Sequence, residues 1–332
     1  MLERTEKNKL SLTLDLAVAL LPAIAWSVYL FGARALVLEL LCGLFAAGFE
    51  FPAQMLILHQ PPNRCFSGFA LLSGVIASLF LPVSAPLWIA PIVGLLTAAL
   101  RLPRGYFCHR PVNAAVGSAL GCYLMFPSFA KRFTMPFAYF PAYLIQIPDA
   151  MVEKYACRTP IDLLMSERIY EDGIFAQLYG FAAGGLAATA ALALAFGFGF
   201  LAVRRTVKIN TTGMYLLTLV VMSAALSPEK VQMINYAWVY ILSGGVPLIA
   251  FIAVNDYSTS PMRQYGTACA LFGVLAALLT VLFRALHFGL PGDLAAVLVA
   301  NLLAPWLEKI TEPKRYYQPN RKHDVKKVKS NE

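Results

Sequence analysis

Four carboxyl groups and one guanidinium lie inside or at the ends of otherwise apolar stretches of this 332-residue chain, and they are where chemistry is first sought. An ionisable side chain in a low-dielectric setting is costly, so it marks a pathway, a partner or a segment end. Glu39 and Glu50 fall within one apolar run, and two roles fit them equally: contact with a passing cation, or a neutral, hydrogen-bonded structural carboxyl. Asp15 and Arg284 fall near the ends of their runs, where a long side chain reaches the headgroups, and they are read as snorkelling. Asp293 follows Pro291-Gly292. The stretch Asn255-Asp256-Tyr257-Ser258-Thr259-Ser260-Pro261 offers hydroxyls and a carboxylate that could ligate a cation or the polar part of a cofactor; its spacing also fits an Asx or Ser/Thr turn before proline.

Other chemistries lack their residues. The chain has no Walker motif, no G-x-G-x-x-G opening a helix, no H-E-x-x-H and no nucleophile elbow. Cys42, Cys65, Cys108, Cys122, Cys157 and Cys269 show no C-x-x-C spacing and read as small packing residues rather than ligands of iron–sulfur or zinc. His109 and His287 are isolated and read as interfacial.

The elements that must hold these residues are membrane spans. Hydrophobic residues make up 59% of the chain and charged residues 14%, with a mean hydropathy of +0.64, well outside the range of soluble domains. A crossing needs about 20 apolar residues. Ten stretches qualify as candidates: 11–31, 35–58, 68–83, 86–100, 112–126, 174–203, 209–226, 235–254, 265–283 and 288–307. The third to fifth are short, and the sixth is long enough to tilt or to start with a re-entrant piece at Gly184-Gly185. The run 137–147 is too short to cross and is expected at the interface. Ten crossings put both termini on one side, where 19 of the 27 Lys and Arg residues then fall, so both ends are expected in the cytoplasm of a bacterial inner membrane. The net charge of +9 is accordingly a topology signal with some attraction for anionic lipid, and nucleic acid is not an expected partner. Arg4 to Lys9 precedes a full-length span without a small-residue cleavage site, so the first helix is read as its own insertion signal.

The chain also repeats itself. Leu72-Ser73-Gly74 returns as Leu242-Ser243-Gly244, and Pro111-Val112-Asn113-Ala114-Ala115-Val116 is echoed by Pro291-Gly292-Asp293-Leu294-Ala295-Ala296-Val297, both at offsets of 170 to 180 positions. Five spans per half would invert the second half relative to the first. The organisation read is an N-terminus over 1–10, a first membrane repeat over 11–127, an external segment over 128–173, a second repeat over 174–310 and a basic tail over 311–332. In inverted-repeat folds short or broken helices meet near the midplane, and the third and eighth spans, with Gly74 and with Gly244, Gly245 and Pro247, are the candidates; packing glycines are the other reading.

From the first span to the tenth, the chain resembles the D subunits of Rnf electron-transport complexes and, more distantly, the B subunits of the sodium-pumping NADH:quinone reductase. Leu20-Leu21-Pro22, Ala70 to Pro82, His109 to Gly117, Arg204-Arg205, Ser243-Gly244-Gly245 followed by Asp256 and Ser260-Pro261, and Asn301, Pro305 and Pro313 are similar to that family's motifs in order and spacing. The resemblance implies an all-α polytopic fold of about ten helices in two inverted five-helix repeats, like a urea channel. It implies partner subunits in a complex that couples ferredoxin/NAD or NADH/quinone electron transfer to Na+ or H+ movement. It also implies FMN attached through a phosphoester to a threonine, which here is Thr159. The family's S-G-A-T reads Ala156-Cys157-Arg158-Thr159, and Ala188 stands where the family carries a glutamate, so both departures touch the flavin's surroundings. Glu39, Glu50, Asn113 and Asp256 are the expected lining of an ion route. A passive channel for a small polar solute and a flavin-free structural subunit are the alternatives.

Overall fold

The computed structural model describes residues 2–59, 61, 68–102, 112–128, 132–137, 147–165, 174–227, 233–256, 259–261 and 266–311. His109-Arg110-Pro111, Cys65, Cys108, Tyr257-Ser258, most of 137–147 and the basic tail beyond Thr311 lie outside these residues. The described chain is helical. Alanine- and leucine-rich runs fold this way in lipid because only a helix satisfies every backbone group within its own segment.

Helices α1 (Leu2–Phe31) and α2 (Ala33–Ile57) turn on Gly32, followed by the shorter α3 (Gly68–Leu79), α4 (Ile89–Arg101) and α5 (Ala114–Met125). Three short helices, α6 (Asp149–Tyr155), α7 (Pro160–Met165) and α8 (Ile174–Leu178), occupy the connecting segment, where an isolated bridge joins Thr134 to Ala156. The second half comprises α9 (Ala191–Val203), α10 (Ile209–Leu226), α11 (Met233–Leu242), α12 (Val246–Phe251), α13 (Gly266–Ala285) and α14 (Gly289–Thr311). Among the described residues, five helices are long and apolar enough to cross a membrane: α1 from Leu10, α2, α10, α13 and α14. A bent pair, 233–242 and 246–255 at 68°, passes the same test together and makes a sixth if it is one span. The other four apolar stretches are helices of 12 or 13 residues. The expected long sixth span is instead α9, preceded by non-helical backbone from Gly180 to Ala190.

The packing repeats as the sequence does. Within the first half α2 packs on α3 and α4, α4 on α5, α3 on α5 and α1 on α3. Within the second, α10 packs on α11 and α13, α13 on α14, α12 on α14 and α9 on α12, so these pairs recur five candidate spans later, with α11 and α12 together standing for the third span. The halves meet through α1 against α9 and α5 against α14, each helix pairing with its own counterpart. Two long-range anchors repeat too. Arg34, at the start of α2, donates to the carbonyls of Val83 and Ala85 at 2.9 and 2.8 Å, just after the third span. Lys208, at the start of α10, donates to Pro261 O at 2.6 Å and to Ser260, just after the eighth.

The outward faces carry large apolar side chains such as Leu14, Leu44, Phe196, Leu217 and Leu282, as lipid-facing helices require. Aromatic rings gather at one end of α1. Trp26 donates to Tyr179 O, Tyr29 stacks edge-on with Phe137 at 5.6 Å, and Phe137 packs against Phe181. Phe137, the first residue of the run expected at the interface, belongs to this group, and rings with a polar handle favour that level.

Candidate functional site

The two interrupted spans meet. Helix α3 stops at Leu79, and its continuation through Phe80 and Leu81 is irregular; the eighth span breaks at Ser243-Gly244-Gly245. A Cβ built on Gly245 would stand 3.3 Å from the Phe80 ring, so the two breaks face each other across that buried ring. Gly244 has φ +68, a conformation that glycine adopts without strain. Gly74, a candidate for the break in the third span, is a packing residue instead: α3 runs straight through it, and a Cβ there would stand 2.8 Å from Ala46 Cβ.

Irregular backbone at membrane depth persists only where protein satisfies it, and here partners for several of the freed groups are in place. Tyr123 donates to Phe80 O at 2.6 Å. The amides of Leu186 and Ala187 donate to Leu81 O and Leu79 O at 2.9 and 3.3 Å. That strand-like approach needs Gly185, where a Cβ would stand 2.7 Å from Leu79 O and Phe80 O. Arg34 takes the carbonyls beyond. At the other break, Arg284 donates to Tyr240 O and Ser243 O, and Gly245 N donates to Asp293 Oδ2 at 3.1 Å.

Arg284 corrects the expectation of a snorkelling side chain. It is 2% exposed and forms a two-pronged pair with Asp293, Nε to Oδ1 and Nη2 to Oδ2, each at 2.7 Å, over the Tyr240 ring at 4.6 Å. A snorkelling chain leaves the apolar interior to reach water; this one turns inward because the bent eighth span offers it carbonyls and α14 offers it a carboxylate. Asp15, also expected to snorkel, is buried instead and pairs with the half-exposed Arg204 at 3.1 Å.

The four residues expected to line a route are placed apart. Glu50 accepts from Arg101 Nε at 2.7 Å and Gln54 Nε2 at 2.6 Å, and Arg101 also reaches Ser73 at 3.2 Å. Glu39, three helical turns earlier in α2, is 1% exposed; its Oε1 lies 2.5 Å from Ser27 Oγ, and its Oε2 has no partner among the described residues. Asn113 caps α5, accepting from Val116 N at 3.2 Å, and crosses to the second half by donating to Ala253 O at 3.1 Å. The Asp256 amide donates to the same carbonyl at 3.4 Å, and its side chain accepts from Thr259 at 3.0 Å, the turn geometry that the sequence offered as its second reading. Asn113 and Asp256 therefore share one carbonyl, while Glu39 and Glu50 stand on α2. Two cavities flank the helices. One of about 220 Å³ is lined by Val207 to Asn210, Gly266 and Cys269, and one of about 200 Å³ lies between Ser84, Trp88, Arg132 and Val152; Phe80, Gly245 and Asp293 border neither.

Thr159 caps α7. Its hydroxyl donates to Asp162 Oδ2 at 2.6 Å and accepts from the Asp162 amide at 3.3 Å, and the residue is 1% exposed. A phosphoester at Oγ1 needs room for a phosphate and a hydroxyl free of its cap. Thr159 as placed has neither, so the arrangement does not fit an attached flavin phosphate. Residues given no site role by the sequence join the polar interior: Gln177 and Asn301 are buried with neither amide atom partnered among the described residues, as is the Ser243 hydroxyl. Ser243 and Asn301 stood in motifs, but an amide or hydroxyl in an apolar run also fits a residue bonded to its own helix.

Subunits of ion-translocating oxidoreductase complexes are similar to this protein over nearly the whole chain. The D subunit of the Na(+)-translocating ferredoxin:NAD(+) oxidoreductase complex of Acetobacterium woodii is 26% identical over 324 residues, covering 94% of this chain and 92% of the relative. The D subunits of the ion-translocating oxidoreductase complexes of Stutzerimonas stutzeri and Halorhodospira halophila are 28% and 29% identical, covering 91% and 90% of this chain and 90% and 89% of those proteins. Residues 4–317, from the start of the first helix to beyond the last, match the family's own profile, and the chain belongs to the NQR2, RnfD, RnfE family.

Proposed function

We propose that this chain is the D-type membrane subunit of an ion-translocating oxidoreductase complex, joining electron transfer of the ferredoxin/NAD or NADH/quinone kind to movement of Na+ or H+. The observation that carries the reading is the family match over residues 4–317 on a bundle whose two halves pack alike around facing helix breaks. Five crossings in each half would set the halves in opposite orientations, the arrangement in which rocking of one half against the other exposes a buried site alternately to each side. The partners are the other subunits of the complex and the surrounding lipid, in a bacterial cytoplasmic membrane with both termini inside.

The redox group is the point on which this chain departs from its family's pattern. FMN on Thr159 would supply one-electron chemistry. The buried, doubly bonded hydroxyl and the neighbouring Arg158 favour a subunit that works as scaffold and ion path, with electrons carried by its neighbours. In membrane vesicles given the electron donor of the complex, loss of this chain should abolish redox-driven Na+ or H+ uptake, and its return should restore it. Undiminished uptake without the chain would overturn the proposal.

A further inference from the structure

Glu39 is the one carboxylate among the described, buried ones with an oxygen left bare. Glu50, Asp15 and Asp293 each face a guanidinium, whereas Glu39 Oε2 is buried with no partner. The described surroundings of Glu39 hold no available cation. On its own helix, Arg34 serves the carbonyls of Val83 and Ala85, and Cys42 is one turn on. From α4 the one charged group is Arg101, bound to Glu50; α3 has no ionisable side chain; α5 brings the Cys122 thiol and Tyr123, whose hydroxyl is given to Phe80 O. From α1 comes Ser27, with Asp15 three turns away and paired with Arg204.

The contacts of Ser27 then locate a proton. Ser27 Oγ is fully buried, 2.8 Å from Ile24 O and 2.5 Å from Glu39 Oε1. Both are oxygen–oxygen approaches at hydrogen-bond length to the same hydroxyl. A serine hydroxyl has one hydrogen. With Glu39 ionised, that one hydrogen is shared between Ile24 O and Oε1; with Glu39 protonated, the acid supplies a second hydrogen and each contact has its own. A neutral acid also accounts for the bare Oε2, because an unpartnered C=O in an apolar interior costs far less than an unpartnered charged oxygen.

We propose that Glu39 is a proton-binding site: a carboxylic acid about 9 Å along α2 from its first residue, counting 1.5 Å per residue, with Ser27 as acceptor of its proton. The ligand is the proton and not a metal ion, since among the described residues no group of three or more His, Cys, Asp or Glu side chains gathers to share an ion with Glu39. The inference deepens the ion-coupling role and rests on it for its purpose, but the site is assayed on this chain whether or not the complex is present.

The test uses the full chain in native membranes treated with dicyclohexylcarbodiimide, an apolar reagent that attacks protonated carboxyls, with the adduct mapped by mass spectrometry in the unaltered protein. The expected result is an adduct on Glu39, lost in Glu39→Gln and unchanged when Na+ replaces K+. Where the reagent leaves no adduct, infrared spectra of the purified protein decide, through the carbonyl band of a protonated carboxyl that Glu39→Gln removes. Protection of Glu39 by Na+ would overturn the proposal in favour of a metal site. Absence of both adduct and protonated-carboxyl band would overturn it in favour of an ionised glutamate. Neither outcome bears on which subunits this chain assembles with.

Discussion

Arg284 and Asp293 are the residues with the most to lose. Removing one member of a fully buried pair strands the other charge, which costs about 3 to 5 kcal/mol, whereas replacing both with apolar groups of similar volume is often neutral. Arg284→Met and Asp293→Leu should each lower the detergent-solubilised protein's melting temperature strongly, and the double variant should recover much of the loss. Additive losses would mean that the two groups serve separate partners. Thr159→Ala removes a helix cap and should cost about 1 kcal/mol. The denatured protein should give a dark band under in-gel flavin fluorescence, whether or not Thr159 is changed; a fluorescent band abolished by Thr159→Ala would show that the hydroxyl is released from Asp162 and esterified. At this scale the sequence was legible in kind but not in partner. Asp15 sat near a segment end and met an arginine, whereas Arg284 sat equally near one and turned inward, because its partners come from α11 and α14, about 40 residues before it and 9 after. Glu39 and Glu50 occupy one helix and one kind of sequence, yet only Glu50 faces a guanidinium, since α4 happens to end in Arg101 beside it.

At the scale of elements, the glycines decide where helices stop. Gly244 combines positive φ with a Cβ position 2.6 Å from Asp293 Oδ2 and 2.9 Å from Arg284 Nη2, so any side chain there strains the backbone and pushes against the ion pair. Gly244→Val should destabilise by several kcal/mol, as strain and displaced partners combine, while Gly213→Val on the open face of α10, where no described atom lies within 4 Å of the Cβ position, should change melting little. Equal losses at the two positions would remove the role given to the break. The eighth span's break was readable from Ser243-Gly244-Gly245-Val246-Pro247, since glycine and proline interrupt helices locally. Gly74 misled because the same triplet sits in the third span, but its neighbour there is the Cys42 carbonyl of α2, a tertiary contact that no local pattern carries. The third span ends instead at Leu79, where Pro82 brings no amide to continue the helix and the Leu186 and Ala187 amides take the Leu81 and Leu79 carbonyls.

At the scale of the molecule, duplication was visible in two short motifs, and the structure adds that Arg34 and Lys208 hold corresponding places with unlike residues. Sequence identity could not reveal that pairing, because an arginine and a lysine reach carbonyls equally well. The membrane class itself needed no structure, since composition fixed it, whereas which apolar stretches are full-length helices depended on where backbone groups find partners. The central claim is membership in a working complex, and purification of the tagged chain from native membranes in mild detergent tests it most directly. Iron–sulfur and flavoprotein subunits should elute with it in constant proportion and carry the visible absorbance of those centres. A chain that elutes alone, and in liposomes conducts a small solute without them, would contradict the account.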